Sequence, residues 1–432
     1  MQALMQKITE RSAHICVVGM GYVGLPLAIE FAKAGYHVTG IDIDHDRVTA
    51  INAGHCPIQD VKPAELERVL CTGNFQASSD FSVFKEADTI SICVPTPLSK
   101  TKDPDISYII SVTREICQYL HPGQLVVLES TTYPGTTDEV ILPQMEATGL
   151  QLGQDFFLAF SPERIDPGNR SFQLTNTPKI IGGVTPACRT VAQQLYAQII
   201  NTVVTVSSSR AAEMVKLLEN TFRAVNIALV NEVALMCDRL DLDVWEIIDA
   251  ASTKPFGFMP FYPGPGLGGH CIPLDPHYLA WKLKTLNYRA RFIELADDIN
   301  TSMPKYVVNR VADVLNEVWK SIKGSRLLVL GIAYKPDTND LRESPALDVI
   351  RLLQAKGGEV CFHDPYIPEV EMPGFRYTAL SENILSWADC VIITTDHSDY
   401  DYDWIVQHAK LIVDTRNATR NISNGCSKIY KL

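Results

Sequence analysis

The stretch HICVVGMGYVGLPLAIEFAKAGYHVTGIDID, residues 14–44, decides the fold of the N-terminal part of the chain. It opens with a short apolar run that is typical of a buried parallel strand. A helical pattern follows over 22–34, and Gly35 is a residue type that often ends a helix. A second apolar run, 36–41, ends at Asp42. This order predicts a strand–helix–strand unit with parallel strands.

The turn between the first strand and the helix has the spacing Gly-x-Gly-x-x-Gly. Gly19 allows a tight turn, Gly21 lets the backbone approach a pyrophosphate, and Gly24 lets helix and strand pack closely. The helix N-terminus adds unpaired N–H groups for the phosphates. A purely structural turn is the alternative. The cofactor-binding residues predicted here are Gly19, Gly21, Tyr22, Val23, Gly24, Asp42 and Arg47.

Asp42 stands 18 residues after Gly24, at the end of the second predicted strand. A carboxylate at that position accepts hydrogen bonds from the ribose hydroxyls and repels a 2′-phosphate. The expected cofactor is therefore NAD rather than NADP. The positive charge of nearby Arg47 works against this discrimination.

The rest of the chain divides by its patterns. Further short strands, predicted at 89–94, 125–128 and 156–160, alternate with helical segments, which indicates a parallel sheet covered by helices on both faces. Residues 209–240 form one long helical pattern without Gly or Pro, and after a loop at 255–273 helix is predicted again over 275–320. The last segment repeats the strand–loop–helix–strand order without Gly-x-Gly-x-x-Gly.

These patterns predict an α/β fold with two doubly wound Rossmann-like domains joined by a mostly helical middle domain. The expected boundaries are 1–205 for the NAD-binding domain, 206–321 for the middle domain with the cysteine-bearing loop, and 322–432 for the C-terminal domain.

Composition limits the class of protein. The net charge of −12 argues against a nucleic-acid binder, which needs a basic surface. Eleven scattered cysteines without a CxxC motif indicate thiols in a reducing compartment rather than disulfides or a metal site. The N-terminal residues lack the apolar core of a secretory signal, and no apolar run reaches membrane-spanning length. We expect a cytoplasmic protein with no nucleic-acid partner, no membrane partner and no metal.

The loop PFGFMPFYPGPGLGGHCIPLDP, residues 255–276, combines aromatic residues, prolines and glycines immediately before Cys271. Pro and Gly together make a stiff loop whose backbone can lie against a ligand. A charged His270 close to the thiol of Cys271 would lower its pKa and favour the reactive thiolate. A buried, inert cysteine in a proline turn is the alternative.

The long helical pattern carries three polar residues on one face. Glu213, Lys216 and Asn220 are spaced three and four residues apart. A partly buried lysine there would stabilise an oxyanion, whereas a solvated surface lysine is the ordinary alternative. Asn220 is a poor helix former in mid-helix, which hints at a task for its side chain.

At these residues the chain resembles the UDP-glucose/GDP-mannose dehydrogenase family over almost its full length. The matching segments are VVGMGYVGLPLA, CVPTPL, ESTTYPG, FSPERIDPG, EMVKLLENTFRAVNIALVNE, GPGLGGHCIPLDP and GIAYKPDTNDLRESPALDV. The resemblance implies an N-terminal NAD-binding domain, central helices that form a homodimer, and a C-terminal domain that binds the UDP-sugar.

The resemblance also implies residue roles. Cys271 matches the nucleophile, Lys216 and Asn220 the pair that holds the reacting oxygen, and Asp275 the residue that positions the hydrolytic water. Glu163 and Thr132 match residues beside that water and the C6 carbon. The other residues implied to bind the cofactor are Thr96, Thr132 and Arg342, and those implied to bind the substrate are Glu163, Arg164, Lys216, Asn220, Phe261, Tyr262, Gly268 and Lys335. Of these, Phe261 or Tyr262 is expected at the uracil and Lys335 near the sugar phosphate.

Within the family, the motifs around Cys271 and Glu163 look like the bacterial and archaeal polysaccharide branch, especially UDP-N-acetylglucosamine 6-dehydrogenases. The expected activity is a four-electron, NAD-dependent oxidation of C6 to the uronic acid, through a thiohemiacetal and a thioester on the cysteine. UDP-N-acetylgalactosamine, UDP-N-acetylmannosamine and UDP-glucose are the alternative substrates. A single-step hydroxyacid dehydrogenase and a non-catalytic NAD-binding protein are the rival functions.

Overall fold

The computed structural model describes residues 1–58, 61–99, 103–165, 171–269, 271–367 and 373–432. Two compact units divide the chain. Unit 1 comprises Met1–Glu219 with His277–Tyr288, and unit 2 comprises Asn220–Pro276 with Arg289–Leu432. The segment 206–321 is shared between these units, so the division into three domains stays a prediction.

Unit 1 is built on a parallel sheet. Its strands are β1 His14–Val18, β2 His37–Ile41, β3 Phe75–Ser78, β4 Thr89–Ile92, β5 Gln124–Leu128, β6 Phe156–Phe160, β7 Lys179–Gly183 and β8 Val203–Val206. In the described residues their order across the sheet is β3-β2-β1-β4-β5-β6-β7-β8. Neighbouring strands are parallel except for β6 and β7, which pair antiparallel. The sequence patterns identified β1, β2, β4, β5 and β6 but not β3, β7 or β8.

Helices cover this sheet. They are α1 Gln2–Thr9, α2 Gly24–Lys33, α3 His45–Asn52, α4 Pro63–Cys71, α5 Ser107–Tyr119, α6 Leu142–Glu146 and α7 Pro186–Tyr196, with a 3₁₀ turn at Phe81–Lys85 and a π-helical turn at Thr136–Ile141. The apolar faces of the helices pack against side chains of both sheet faces, which form two separate hydrophobic clusters. The result is the doubly wound arrangement that the sequence predicts.

The parallel strands of unit 1 bring four predicted site residues to one edge of the sheet. Gly19 directly follows β1, and Thr96, Thr132 and Glu163 follow β4, β5 and β6 by three or four residues. Ligands of such sheets bind beyond the carboxyl ends of the strands. The fold therefore accounts for the wide spacing of these residues in the sequence.

The segment between the two sheets is helical. It contains α8 Ser209–Leu240, α9 Val244–Ser252, α10 Asp275–Thr285 and α11 Arg291–Glu317. The bounds of α8 agree with the helix predicted at 209–240. The helix predicted over 275–320 is interrupted after α10, where Asn287 adopts a left-handed backbone conformation with φ of 57° that an α-helix does not accommodate.

Unit 2 contains a second parallel sheet. Its strands are β9 Arg326–Leu330, β10 Glu359–His363, β11 Cys390–Ile393, β12 Ile412–Asp414 and β13 Ile429–Lys431, and the described order is β10-β9-β11-β12-β13. The same part of unit 2 contains the helices α12 Pro345–Ala355, α13 Glu382–Trp387 and α14 Tyr402–His408, and a 3₁₀ turn at Cys426–Lys428. The predicted fold class is confirmed: two parallel-sheet regions stand on either side of a helical segment in the sequence.

None of the helices in the described residues is both long enough and apolar enough to span a membrane.

Candidate active site

The glycine-rich turn after β1 leaves one open face. Gly19 has φ of +92°, and a Cβ there would lie 2.6 Å from the backbone oxygen of Cys93. A Cβ on Gly24 would lie 1.9 Å from the backbone oxygen of Gly19, so this glycine lets α2 approach the turn. A Cβ on Gly21 would meet no atom within 4 Å. The protein therefore leaves space at Gly21, where a pyrophosphate would approach the backbone.

Tyr22 and Val23 complete the turn. The helix α2 begins at Gly24, two residues later than predicted, and Val23 occupies its N-cap position. In the first turn of α2 the N–H of Leu25 donates to the backbone oxygen of Gly21 (3.1 Å), the N–H of Leu27 donates to that of Val23 (3.3 Å), and Pro26 has no N–H. The positive end of the helix dipole suits the phosphates of a dinucleotide.

Asp42 is fixed at the end of β2. Its Oδ2 accepts hydrogen bonds from the backbone N–H of Met20 (2.8 Å) and from Nη1 of Arg47 (2.9 Å), and its Oδ1 accepts one from the N–H of Asp44 (3.0 Å). The carboxylate thus stands beside the glycine turn, as a ribose-binding residue should. Arg47 is paired with this carboxylate and, at 3.6 Å, with that of Asp44, and the set of residues fits bound NAD.

Unit 2 has an aspartate at the corresponding place, but its environment differs. Asp364 follows β10 and is fully buried, and its Oδ2 accepts hydrogen bonds from the N–H groups of Ile332 (2.7 Å) and Ala333 (3.0 Å). His397 accepts the N–H of Asp337 at Nδ1 and therefore donates from Nε2 to the same oxygen of Asp364, 3.0 Å away. These bonds lower the pKa of Asp364 although burial acts to raise it. This carboxylate is not available for a ribose.

The loop after β5 carries Thr132 and is held by α8. Thr132 is buried, and its Oγ1 lies 2.6 Å from Oγ1 of Thr136. The carboxylate of Glu213 accepts hydrogen bonds from the N–H of Gly135 (2.6 Å) and from both the N–H and Oγ1 of Thr137 (2.9 and 2.7 Å). Burial raises the pKa of Glu213, while these three bonds act against it. Sequence reasoning placed Glu213 on the helix face but missed this role.

The segment that follows β4 is fixed in a similar way. Oγ1 of Thr96 donates to the backbone oxygen of Thr131, 2.7 Å away, and so links this segment to the loop that carries Thr132. The hydroxyl of Tyr278, on α10, donates to the backbone oxygen of Thr96. Thr96 therefore has a defined position beside the predicted cofactor residues of unit 1.

Lys216 is a buried residue rather than a solvated one. Its Nζ donates a hydrogen bond of 2.6 Å to the backbone oxygen of Glu163. Glu163 is also buried, and its Oε1 accepts hydrogen bonds from the N–H groups of Arg164 and Ile165, both 2.6 Å long. Arg164 is bonded to Glu219 of α8 at 2.7 Å. Unit 1 thus joins three residues that the resemblance assigned to catalysis or substrate binding.

Unit 2 joins three others. Nδ2 of Asn220 donates to Oδ2 of Asp275 at 2.5 Å, and both side chains are buried. The N–H of Asp275 donates to the backbone oxygen of Cys271 at 2.8 Å, so the cysteine lies one turn before the start of α10. His270, the predicted activator of the thiol, lies outside the described residues.

Exposure separates Cys271 from most other cysteines. Cys271 is half-buried, whereas Cys16, Cys93, Cys188, Cys237, Cys361 and Cys390 are buried. Burial raises the pKa of Cys361 to about 11 and that of Cys390 to about 12, which suppresses their thiolate forms. A reagent or substrate can reach Cys271 more easily than these thiols.

The glycines that precede Cys271 pack closely against the segment that follows β9 in unit 2. A Cβ on Gly268 would lie 2.8 Å from the backbone oxygen of Glu343, and one on Gly269 would lie 2.8 Å from the ring of Tyr334. The N–H of Gly269 donates to the backbone oxygen of Arg342 at 3.0 Å. Only glycine allows this close approach, so the loop that ends at Cys271 has a defined path.

The predicted base-contacting aromatics already have packing partners. Tyr262 stacks on Trp245 with ring centroids 5.7 Å apart, and its hydroxyl donates to Oδ1 of Asp249 at 2.7 Å. Phe261 meets the ring of Phe222 edge-on at 5.8 Å. Their contact with a nucleotide base stays a prediction.

The two predicted cations of the loop after β9 also have neighbours. Lys335 lies over the ring of Tyr334, with Nζ 5.7 Å from its centroid. Arg342 forms a hydrogen-bonded ion pair with Asp340 at 2.6 Å. Their roles toward the sugar phosphate and the cofactor remain predictions.

Comparison with known proteins matches all three parts of the chain. The sequence models of the UDP-glucose/GDP-mannose dehydrogenase family match residues 13–200 (NAD binding domain), 210–302 (central domain) and 328–421 (UDP binding domain). A UDP-N-acetyl-D-mannosamine dehydrogenase of Pyrococcus horikoshii is 37% identical, with 94% of this chain and 95% of the relative covered. A UDP-N-acetyl-D-glucosamine 6-dehydrogenase of Pseudomonas aeruginosa is 34% identical, with 90% and 92% covered.

A solved structure supports the same assignment. The UDP-D-ManNAc dehydrogenase from Pyrococcus horikoshii superposes with a TM-score of 0.88 at 35% identity, covering 97% of this chain and 98% of that one. The chain therefore belongs to the UDP-glucose/GDP-mannose dehydrogenase family.

Proposed function

We propose that this enzyme oxidises the C6 hydroxymethyl group of a UDP-activated N-acetylhexosamine to a carboxylate through a covalent bond to Cys271. Family membership already makes it an NAD-dependent dehydrogenase of UDP-sugars, because both an NAD binding domain and a UDP binding domain are present. The proposal adds the class of sugar, the residue roles and the use of the product in polysaccharide biosynthesis.

The observation that carries the proposal is the pair of buried polar residues on successive turns of α8. Lys216 is bonded to the backbone of Glu163, and Asn220 is bonded to Asp275. Burial of an ammonium group and of a carboxamide in a helix costs free energy unless their bonds compensate it. Such placement of a cation and a polar group suits the stabilisation of a developing oxyanion.

The oxidation balances with two NAD molecules. One alcohol, two NAD and one water give one carboxylate, two NADH and three protons. Bound NAD supplies the hydride acceptor for both steps. Lys216 is proposed to stabilise the negative charge that develops on the C6 oxygen, and Asn220 to fix the position of that oxygen by hydrogen bonding.

Cys271 explains how an aldehyde intermediate is retained. The sulfur adds to the aldehyde carbon, the carbonyl oxygen takes up a proton, and a thiohemiacetal results. Loss of a hydride and a proton from this adduct leaves a thioester. Water then attacks the thioester carbon, the carbon–sulfur bond breaks, and the thiolate of Cys271 is released. Asp275 is proposed to orient this water and to receive its proton.

The sugar is the part of the proposal that rests on relatives. The sequence motifs favour UDP-N-acetylglucosamine, but more of the named relatives are UDP-N-acetylmannosamine dehydrogenases. These two sugars differ only in configuration at C2, and both carry the acetamido group. We propose an acetamido sugar as the substrate, with UDP-N-acetylmannosamine tested first and UDP-N-acetylglucosamine second.

The test is the NADH yield with a panel of four substrates: UDP-N-acetylmannosamine, UDP-N-acetylglucosamine, UDP-N-acetylgalactosamine and UDP-glucose. We expect two NADH per sugar consumed, an acidic product, and the highest kcat/KM for one of the first two. One NADH per substrate would favour the chemistry of a hydroxyacid dehydrogenase. A preference for UDP-glucose would contradict the proposed sugar class.

We also propose that the enzyme is a homodimer that pairs through its central helices. The support is a series of exposed apolar side chains along α8, namely Leu218, Phe222, Leu229, Met236 and Leu240. Exposed apolar residues in such a series are typical of an interface. Light scattering should give twice the chain mass of 47.9 kDa, and Leu229→Glu should lower it.

A further inference from the structure

A second buried charge cluster lies behind the predicted catalytic residues of unit 1. Nζ of Lys179, the first residue of β7, forms an ion pair with Oε2 of Glu129 at 2.7 Å. The hydroxyl of Tyr196, at the end of α7, donates to Oε1 of Glu129, and Nζ of Lys179 lies 5.1 Å from the centre of the Tyr196 ring. All three side chains are buried. The proposed reaction has so far assigned them no task.

The cluster adjoins Glu163. Nζ of Lys179 lies 3.9 Å from Oε2 of Glu163. Oε1 of Glu163 accepts two backbone hydrogen bonds, but the buried Oε2 accepts none from the described residues. A buried carboxylate oxygen without a donor is costly, so it suits a donor that arrives with the substrate or as water. The ammonium of Lys179 thus faces the carboxylates of Glu129 and Glu163, and it is hydrogen-bonded only to that of Glu129.

We propose that Lys179 is a positioning residue for Glu163: held by Glu129 and Tyr196, it places a positive charge 3.9 Å from Oε2 of Glu163 while leaving this oxygen open to a hydroxyl or water of the reaction. The inference rests on the proposed function, because Glu163 needs a reacting group to serve. A lysine bonded directly to Oε2 would occupy the acceptor. A site without the lysine would leave the buried carboxylate of Glu163 with no compensating charge from this side, which costs free energy.

The electrostatic surroundings agree with this arrangement. Burial acts to lower the pKa of Lys179, but Glu129 and Glu163 outweigh it and raise the pKa, so the ammonium form persists. Burial raises the pKa of Cys93, which therefore remains a neutral thiol. Among the described residues, the titratable or charged groups that face or adjoin Glu163 are Lys179 of β7, Glu129 after β5, Cys93 after β4, Lys216 of α8 and the neighbouring Arg164.

The first test compares pH profiles of kcat. Lys179→Met removes the positive charge beside Oε2 of Glu163; we expect the acidic limb of the kcat profile to move up by about one pH unit and kcat at pH 7 to fall about tenfold. Glu129→Gln keeps the side-chain size but frees Lys179 to pair with Glu163, so the limb should move to lower pH. KM for both substrates should change less than threefold, or about 0.7 kcal/mol. If the ion pair between Lys179 and Glu129 were purely structural, the two variants would not shift the acidic limb of the kcat profile in opposite directions.

The second test is a double-mutant cycle on kcat. Glu163→Gln alone should lower kcat by about 100-fold. If Lys179 acts through Glu163, adding Lys179→Met to Glu163→Gln should cause little further loss. Losses that multiply in the double mutant, or pH limbs that do not move, would overturn the inference. Lys7→Met is a control for the loss of an ion pair of the same length, because the half-exposed Lys7 also forms a 2.7 Å ion pair in unit 1, with Asp88; this change should leave kcat unchanged.

Binding of NADH, followed by fluorescence, shows whether each variant is folded. If Lys179→Met is not folded, Glu129→Gln and its combination with Glu163→Gln decide the same question. A wild-type yield other than two NADH per sugar would contradict the proposed function. If the wild-type enzyme yields two NADH per sugar but the effects of Lys179→Met and Glu163→Gln on kcat are independent, only this inference is contradicted and the proposed function stands.

Discussion

The carboxylate of Glu213 and the backbone amide of Gly135 are joined by a 2.6 Å hydrogen bond across 78 positions of sequence. Glu213→Ala should lower the unfolding temperature, because two amides and a hydroxyl that are left buried without partners each cost about 1–3 kcal/mol. Activity should fall as well, since the loop of Thr132 loses its anchor. Thermal unfolding and kcat are the measurements, with Glu30→Ala as a control at an ion pair on α2. Equal unfolding temperatures for the two variants would contradict the anchoring role.

Two glycine substitutions should separate cofactor binding from folding. Gly21→Ala adds a methyl group that meets no protein atom within 4 Å, so the protein should fold normally but bind NAD about tenfold or more weakly. Gly24→Ala places the methyl group 1.9 Å from a backbone oxygen and should lower stability strongly. Thermal unfolding and NADH titration distinguish the two. A destabilised Gly21→Ala variant would speak against an open face at this glycine.

Cofactor selectivity should depend on the pair Asp42 and Arg47. Asp42→Ala removes the ribose acceptor and releases Arg47 from its 2.9 Å hydrogen bond, so the guanidinium becomes available to a 2′-phosphate. We expect kcat/KM for NAD to fall about tenfold or more and that for NADP to rise. Adding Arg47→Ala should abolish the gain with NADP. If NADP use does not depend on Arg47, the explanation is wrong.

Replacement of the half-buried Cys271 should stop the reaction before the acid. Cys271→Ser should release at most one NADH per sugar, slowly, because an alcohol is a poorer nucleophile than a thiolate at neutral pH. Mass spectrometry of the product and the NADH yield measure this. Cys117→Ser, at another half-buried cysteine, should retain the full yield. A Cys271→Ser enzyme that makes two NADH at the wild-type rate would exclude the covalent route.

The stability of unit 2 should depend on pH through Asp389. Burial acts to raise the pKa of Asp389, but hydrogen bonds from the N–H of Arg326 and from Lys320 outweigh it and hold the pKa well below its usual range. A depressed carboxylate pKa stabilises the fold above the unfolded-state value of about 3.9, and this stability is lost as the pH falls through the folded value. Asp389→Asn should therefore unfold at a lower temperature than wild type at pH 7. The difference should shrink below about pH 4, and a constant difference would argue against this ionic origin.

Spacing and periodicity in the sequence predicted those parts of the fold that depend on neighbouring residues. The Gly19 turn and the bounds of α8 follow from spacing and periodicity, and both agree with the structure. The strands β3, β7 and β8 were missed because they lack the continuous apolar pattern of the others: β3 reads FQAS, β7 reads KIIGG, and β8 has no fully buried residue. The antiparallel pairing of β6 and β7 depends on contacts between distant parts of the chain, so no local sequence pattern predicts it.

The candidate site shows the same limit. Sequence spacing put Lys216 on a helix face but left its burial open, and the bond to the backbone of Glu163, 53 positions away, decides it. The bond between Asn220 and Asp275 spans 55 positions and was equally out of reach of periodicity. The resemblance to a family supplied the roles of these residues, whereas tertiary contacts supply their surroundings.

The occupied carboxylate of Asp364 has a kinetic consequence. If the described residues offer one ribose acceptor beside a glycine turn, both hydride transfers must use the same pocket in succession. On the proposed four-electron route, the first NADH leaves and a second NAD enters while the half-oxidised sugar stays bound to Cys271. The lifetime of the proposed sulfur–carbon bond would then exceed the time of cofactor exchange, and the departure of the first NADH would set an upper limit on the overall rate.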